Sequence, residues 1–79
     1  MSLYAKLQAA GCELDHHESD LYVKASEAAR MLIKAEQRVC PSVQMQYFRS
    51  ELDGAMWIDV PFHWEPFWAA VRDRETVLA

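Results

Sequence analysis

Tyr47–Trp68, YFRSELDGAMWIDVPFHWEPFW, is the stretch that decides the fold of this 79-residue chain. It contains all three tryptophans, all three phenylalanines and two of the three prolines. At its centre, Asp53-Gly54 separates two runs in which apolar and polar residues alternate. This dipeptide is among the strongest hairpin signals, because a type I′ turn needs positive φ at both central residues. The stretch therefore predicts a β-hairpin with strands Val43–Glu51 and Ala55–Val60.

Period-two alternation divides the side chains of this hairpin between two faces. The face predicted to lie in the core carries Val43, Met45, Tyr47, Met56, Ile58 and Val60. The opposite face carries Gln44, Gln46, Phe48, Ser50, Trp57 and Asp59. A two-residue turn would pair Phe48 with Asp59, which makes Phe48 and Trp57 diagonal neighbours. A longer loop would change that pairing without changing which residues share a face.

The residues before this hairpin predict a helix, a second hairpin and a longer helix. The elements expected, in order, are a helix over Leu3–Ala10, strands over Cys12–His17 and Leu21–Ala25, and a helix from Ser26 to about Val39. Ser2 and Ser26 are typical N-cap residues, because a hydroxyl accepts from an N–H of the first turn. The spacing assigns the buried face of the longer helix to Ala28, Met31, Leu32, Ala35 and Val39.

Pro66 predicts the start of a last helix, because proline is favoured in a first helical turn. Phe67, Trp68 and Val71 form its apolar side. The element order is then αββαββα within a single domain over residues 1–79. This order predicts an α+β fold, in which an antiparallel four-stranded sheet has its helices packed mainly on one face.

Composition and charge narrow the classes of function. The net charge of −4, with 12 acidic against 8 basic residues, disfavours direct binding to nucleic acid, which depends on lysine and arginine. It favours a partner protein with a basic surface. No apolar run approaches the roughly 20 residues that span a bilayer, and no signal-peptide core is visible. We therefore expect no membrane association and a cytoplasmic location.

Candidate catalytic and metal-binding residues do not form a recognisable site. His16 and His17 are neighbours on a predicted strand, so their side chains point to opposite faces. No spacing of cysteine and histidine matches a structural zinc site. Cys12 or Cys40 could pair with His63 only if the fold brought them together. We expect no enzyme activity, no metal and no cofactor, because no nucleophile, base and orienting group can be assembled.

The aromatic residues are the stronger functional signal. Alternation places Trp57 on the face away from the core, and large aromatic side chains are common anchors of protein interfaces. The alternative is that several of these rings complete a small core, since aromatic side chains bury large areas. The predicted protein-binding residues are Trp57, Phe48, Asp59, Glu51 and Trp64.

Two segments, HHESDLYVKAS at 16–26 and FRSELDGAMWIDVPFHWEPFW at 48–68, resemble small proteins of unassigned function encoded by bacteriophages and prophages. The shared elements look like a His-x-Ser-Asp-Leu-Tyr stretch, here 17–22, and an Asp-Gly-x-x-Trp-x-Asp-Val-Pro-Phe stretch, here 53–62, followed by the aromatic pair 67–68. The resemblance covers about half of the chain. It implies a role in which small phage proteins bind and block host machinery, including CRISPR effectors and other defence proteins.

The leading hypothesis is therefore a small phage-type protein-binding module in the host bacterial cytosol, which inhibits or redirects a host protein complex. Two alternatives stay open. The protein could bind a small ligand or nucleotide through its aromatic residues and the turn that the cluster His17-Glu18-Ser19-Asp20 predicts. It could also be a homo-oligomeric structural accessory protein, with the aromatic patch as a homodimer face.

Overall fold

The computed structural model describes residues 2–78, and their side chains through residue 74. It has seven elements in chain order: α1 (Leu3–Ala9), β1 (Leu14–His17), β2 (Asp20–Lys24), α2 (Glu27–Val39), β3 (Gln46–Arg49), β4 (Met56–Val60) and α3 (Glu65–Leu78). The predicted α+β order αββαββα is confirmed. Both predicted N-caps form, because the hydroxyls of Ser2 and Ser26 accept first-turn N–H groups at 3.1 Å.

The four strands form one antiparallel sheet in the order β1-β2-β4-β3. The two hairpins are joined side by side through β2 and β4. That pairing sets Leu21 opposite Val60 and Val23 opposite Ile58. These four side chains point to the same face of the sheet, and all four are fully buried.

The core lies between this face and the first two helices. Its buried residues are Leu3, Leu7, Leu21, Val23, Ala29, Ile33, Val43, Ile58 and Val60. Helix α1 supplies the first two and α2 supplies Ala29 and Ile33, so both helices cover the same side of the sheet. Among the side chains described through residue 74, none from α3 belongs to this core. Nor is any described helix long and apolar enough to cross a membrane.

The predicted buried face of α2 was wrong by one residue. Met31 and Val39 are 65% and 83% exposed, whereas Ala29 and Ile33 are completely buried. Leu32 packs only partly against the core. The error has a physical cause: the apolar residues of α2 span about half of its circumference, more than the core covers, so helical spacing alone does not decide which part of that arc is buried. Packing selects the arc that buries the branched side chain of Ile33.

The central hairpin differs from its predicted geometry in the turn. Its strands are shorter than expected, and four residues, 51–54, connect Ser50 to Ala55. The Ser50 N–H donates to the Ala55 carbonyl at 2.8 Å, and the Gly54 N–H donates to the Ser50 carbonyl at 2.9 Å. Only Gly54 has positive φ in this loop, so the type I′ turn is wrong. The longer loop moves the pairing by two residues, and Phe48 now lies directly opposite Trp57.

The side-chain faces of this hairpin survive the change of pairing, because a two-residue shift preserves alternation. Ile58 and Val60 are buried as predicted. Tyr47 and Met56 point to the same face but are 42% and 40% exposed, so their assignment to the core was wrong. Tyr47 is on the edge strand and Met56 begins β4, so both lie at the margin of the area that α1 and α2 cover.

A shorter turn closes the first hairpin. His17 pairs with Asp20, and Glu18 and Ser19 form the two-residue connection. Glu18 has a φ of 53°, which is costly for a residue with a side chain. Part of what holds this turn is a hydrogen bond at 2.9 Å from the Trp64 N–H to the Ser19 carbonyl. The turn is thereby tied to the loop that precedes α3.

Substituting Ile58 tests the core. Ile58→Ala should lower the free energy of unfolding by about 2–5 kcal/mol, because a fully buried side chain leaves a cavity. Met56→Ala, on the same strand and partly exposed, is the matched control and should cost clearly less. Urea denaturation followed by circular dichroism measures both losses. Equal losses for the two variants would contradict the assigned core.

Substituting Glu18 tests the strained turn. Glu18→Gly should raise the free energy of unfolding by about 0.5–1 kcal/mol, since relief of the left-handed conformation exceeds the added backbone entropy. Ser19→Gly is the control: Ser19 does not have positive φ, so the same change there should lower stability. The melting temperature should rise for Glu18→Gly and fall for Ser19→Gly, relative to wild type. A lower melting temperature for Glu18→Gly would argue against the turn geometry.

Candidate protein-binding surface

The face of the sheet opposite α1 and α2 is the candidate binding surface. Alternation within the observed pairing gives its members as Asp15, His17, Asp20, Tyr22, Lys24, Gln46, Phe48, Trp57 and Asp59. We call this set the outer sheet face. None of its side chains is fully buried, and none belongs to the core. It is therefore the sheet surface that the first two helices leave uncovered.

Three aromatic side chains come together on the outer sheet face. Trp57 on the inner strand β4 is flanked by Phe48 on β3 and by Lys24 on β2. The rings of Tyr22 and Phe48 lie 4.9 Å apart between centroids, tilted by 60°. All three aromatic side chains are half-buried, so each keeps accessible surface. The pairing of β2 with β4 is what brings Tyr22 into this group.

The loop between β3 and β4 fixes the indole of Trp57. Its Nε1–H donates to the Asp53 carboxylate, at 3.2 Å to Oδ2. The Ala55 N–H donates to Asp53 Oδ1 at 2.9 Å. The hydrogen bond from Ala55 is the main cause that lowers the pKa of Asp53, helped by the indole and by the charge of Lys24. Asp53 therefore carries its negative charge at neutral pH beside the tryptophan.

A groove of about 430 Å³ runs between the aromatic residues and this loop. Tyr22, Phe48 and Trp57 contribute its aromatic lining, and Asp15, Glu51 and Asp53 contribute carboxylates. Arg49 is the cation that also lines it. The Arg49 guanidinium is already engaged, because Nη1 donates to the Gly54 carbonyl at 2.7 Å. The groove thus combines an apolar lining with an excess of negative charge.

Asp59 adds to the negative potential of the outer sheet face. Burial raises the pKa of its carboxyl group, and so do the charge and proximity of Asp20, against a smaller opposing effect of His17. Its buried Oδ1 receives no hydrogen bond, since a neighbouring carboxylate cannot donate unless it is protonated. The pKa of Tyr22 is raised as well, first by burial and then by Asp59, Asp20 and Asp15.

The fold brings most of the predicted site residues to one place. Phe48 and Trp57 face each other, and Asp59 is the next outward residue of β4. Glu51 reaches the same groove from the loop. Trp64 lies elsewhere: it packs against the core on the helical side, edge-on to Tyr4 at 5.1 Å between ring centroids.

Trp64 also stacks on a histidine that the sequence raised as a possible ligand. The rings of His16 and Trp64 are nearly parallel, at 11°, with centroids 4.4 Å apart. Within residues 2–78, no group of three or more His, Cys, Asp or Glu is placed to hold a metal ion. Cys12 and Cys40 are free thiols.

Sequence reasoning missed Tyr22 and Asp15 as members of the site. A signal for Tyr22 was present, because it alternates with the inward residues Leu21 and Val23. What sequence could not supply was the pairing of β2 with β4, which joins residues of the first hairpin to those of the second.

No family model, curated protein or solved structure matches this chain. The surface itself therefore carries the functional argument.

The two carboxylates predict opposite effects of pH on stability. The folded-state pKa of Asp59 is raised, so stability is lost as pH rises through that pKa, and Asp59→Asn should be more stable than wild type at pH 7. The folded-state pKa of Asp53 is lowered, so Asp53→Asn should be less stable at pH 7.

Melting temperatures measured from pH 3 to 8 test this pair. Both differences from wild type should shrink as the pH falls and the wild-type carboxyl groups become protonated, for Asp59 at higher pH because its pKa is raised and for Asp53 at lower pH because its pKa is lowered. If Asp59→Asn lowers the melting temperature at pH 7, its carboxylate is not destabilised by its surroundings as described.

Proposed function

We propose that this protein is a binding module that engages a basic surface of another protein through its outer sheet face. One observation carries the proposal: Tyr22, Phe48 and Trp57 meet in a groove that three carboxylates also line. Aromatic side chains left accessible on a sheet are costly in water, and such patches commonly mark contact sites.

The arrangement matches the anatomy of interface hot spots. Anchors of protein interfaces are enriched in tryptophan and tyrosine, and they are surrounded by residues that exclude water. Trp57 occupies the inner strand β4, between Lys24 and Phe48, with its Nε1–H already bonded to Asp53. This indole is pre-positioned, so less side-chain entropy is lost when a partner covers it.

Charge favours a basic partner. The two basic residues nearest the aromatic group have partners: Lys24 pairs with Glu13 at 3.2 Å, and Arg49 bonds to the Gly54 carbonyl. The unpaired charge that remains around the groove is therefore mainly that of the carboxylates of Asp15, Glu51 and Asp53. A surface of this sign accelerates the approach of a positively charged protein.

The same charge argues against the two alternative functions. A nucleotide would bring phosphate groups to a groove lined by three carboxylates, which repel them. A homodimer through this face would bring two copies of those carboxylates together. A different protein with a basic surface avoids both penalties.

The resemblance to phage and prophage accessory proteins supplies the biological setting of the proposal. In that setting the module acts in the host bacterial cytosol without catalysis. It occupies a basic surface of a host protein complex and so inhibits or redirects it. A CRISPR-type defence effector, whose nucleic-acid channel is basic, is a partner of the required charge.

Substitutions on the outer sheet face test the proposed function. Trp57→Ala and Phe48→Ala should each weaken binding to a host partner by about 30-fold or more, the loss typical of a hot-spot residue. Affinity capture from host lysate identifies the partner, and titration of the purified pair measures the dissociation constants. Asp59→Asn should mainly slow association, because it removes charge beside the anchors.

Met31→Ala is the matched control, since Met31 is an exposed apolar side chain on α2 at the opposite side of the domain. It should bind like wild type. Circular dichroism shows whether each variant is folded. If Trp57→Ala and Phe48→Ala keep wild-type affinity per folded molecule, the outer sheet face is not the interface.

A further inference from the structure

We infer that the groove binds the side chain of an arginine that the partner presents. The inference rests on the proposed function, and it specifies one residue of the partner's contact surface as an arginine. It follows from what lines the groove: Tyr22, Phe48 and Trp57 on the aromatic side, and Asp15, Glu51 and Asp53 as carboxylates.

Size is the first consideration. At about 430 Å³, the groove is at the small end of the range of roughly 300–1,000 Å³ that is typical of ligand sites. It accommodates one long side chain and not a folded element. The tilted contact of Tyr22 and Phe48 and the bonded indole of Trp57 keep the lining in place.

The carboxylates have acceptor capacity to spare. Among the side chains described through residue 74, neither Asp15 nor Glu51 forms an ion pair. One oxygen of Asp15 accepts the His16 N–H at 2.8 Å. Asp53 accepts from Ala55 and Trp57 but, as a carboxylate, has about four lone-pair sites. Each of the three groups can therefore accept a further hydrogen bond from a cation.

A guanidinium group meets both requirements of the groove. It is planar and stacks on aromatic rings, and it presents five N–H donors that match carboxylates. A lysine ammonium is a compact, strongly hydrated charge, so it gains less from stacking. An apolar side chain would cover the carboxylates without giving them a partner, which is costly. Arginine is thus the side chain that uses the lining most fully.

Short peptides test the inference without the unidentified partner. The probes are three blocked peptides that differ only at the central residue: Gly-Gly-Arg-Gly-Gly, the same peptide with lysine, and the same peptide with citrulline, the neutral analogue of arginine. Each is titrated into the nitrogen-15-labelled protein, and the Trp57 indole N–H and the backbone amides are followed by NMR.

The arginine peptide should shift the Trp57 indole and the amides around the groove, and it should saturate with a dissociation constant on the order of 1 mM. The lysine peptide should bind several-fold more weakly, and the citrulline peptide at least tenfold more weakly. Sodium chloride at high concentration should weaken the arginine complex, because the carboxylates are exposed.

Two double variants separate charge from shape. Asp15→Asn with Glu51→Gln keeps the size of the lining and should weaken the arginine peptide at least tenfold. Glu27→Gln with Asp73→Asn, which removes two exposed carboxylates outside the groove lining, should leave it unchanged. Backbone NMR spectra show whether both variants are folded. If a variant does not fold, the comparison of the three peptides on the wild-type protein still tests the inference.

Equal binding of the arginine and citrulline peptides, shifts confined to residues outside the groove, or equal binding of lysine and arginine would each overturn the inference. These failures are distinguishable from failure of the proposed function. If Trp57→Ala abolishes partner binding while the peptides do not bind, the outer sheet face is the interface but the groove does not select arginine. If the arginine peptide binds but Trp57→Ala does not change the affinity for the partner, the interface with the partner lies elsewhere.

Discussion

The antiparallel pairing of β2 with β4 is the interaction on which the rest of the structure depends. It sets Leu21 against Val60 and Val23 against Ile58, and these side chains are the sheet's contribution to the core. Each hairpin alone would be marginally stable, since a two-stranded hairpin has too little to bury. Joined through β2 and β4, the hairpins make an apolar surface large enough for α1 and α2 to cover. The core and the sheet therefore form together.

The same pairing creates the candidate site on the other face. Because alternate residues of a strand point to opposite sides, burying Leu21 and Val23 forces Tyr22 outwards. There it meets Phe48, and Asp59 lies opposite it on β4. Burial first, and then the neighbouring carboxylates that the pairing brings close, raise the pKa values of Asp59 and Tyr22. One set of backbone hydrogen bonds thus produces an apolar side and an acidic aromatic side.

A second set of contacts, away from the groove, connects the end of β4 and the start of β2 to α3. Phe62 has a φ of 65° and is 68% exposed, an unusual conformation for a bulky residue. Its N–H donates to Asp20 Oδ1 at 3.2 Å, and its carbonyl accepts from Trp68 Nε1 at 3.0 Å. These bonds stabilise the left-handed backbone and tie the loop before α3 to the start of β2. The strain is balanced by one contact that is distant in sequence, with Asp20, and one that is local, with Trp68.

Local signals in the sequence determined the elements of this protein and their order along the chain. The serine N-caps, the alternation in each strand and the proline at the start of α3 depend on neighbours only, so they could be predicted. The face on which Phe48, Trp57 and Asp59 lie could be predicted for the same reason. Tertiary structure alone decided three things: the register of the central hairpin, the face of α2 that is buried, and the addition of Tyr22 and Asp15 to the groove. Each depends on packing between segments that are distant in sequence. Local preferences allow several arrangements of similar free energy, and loop length, side-chain volume and the pairing of β2 with β4 decide which one forms.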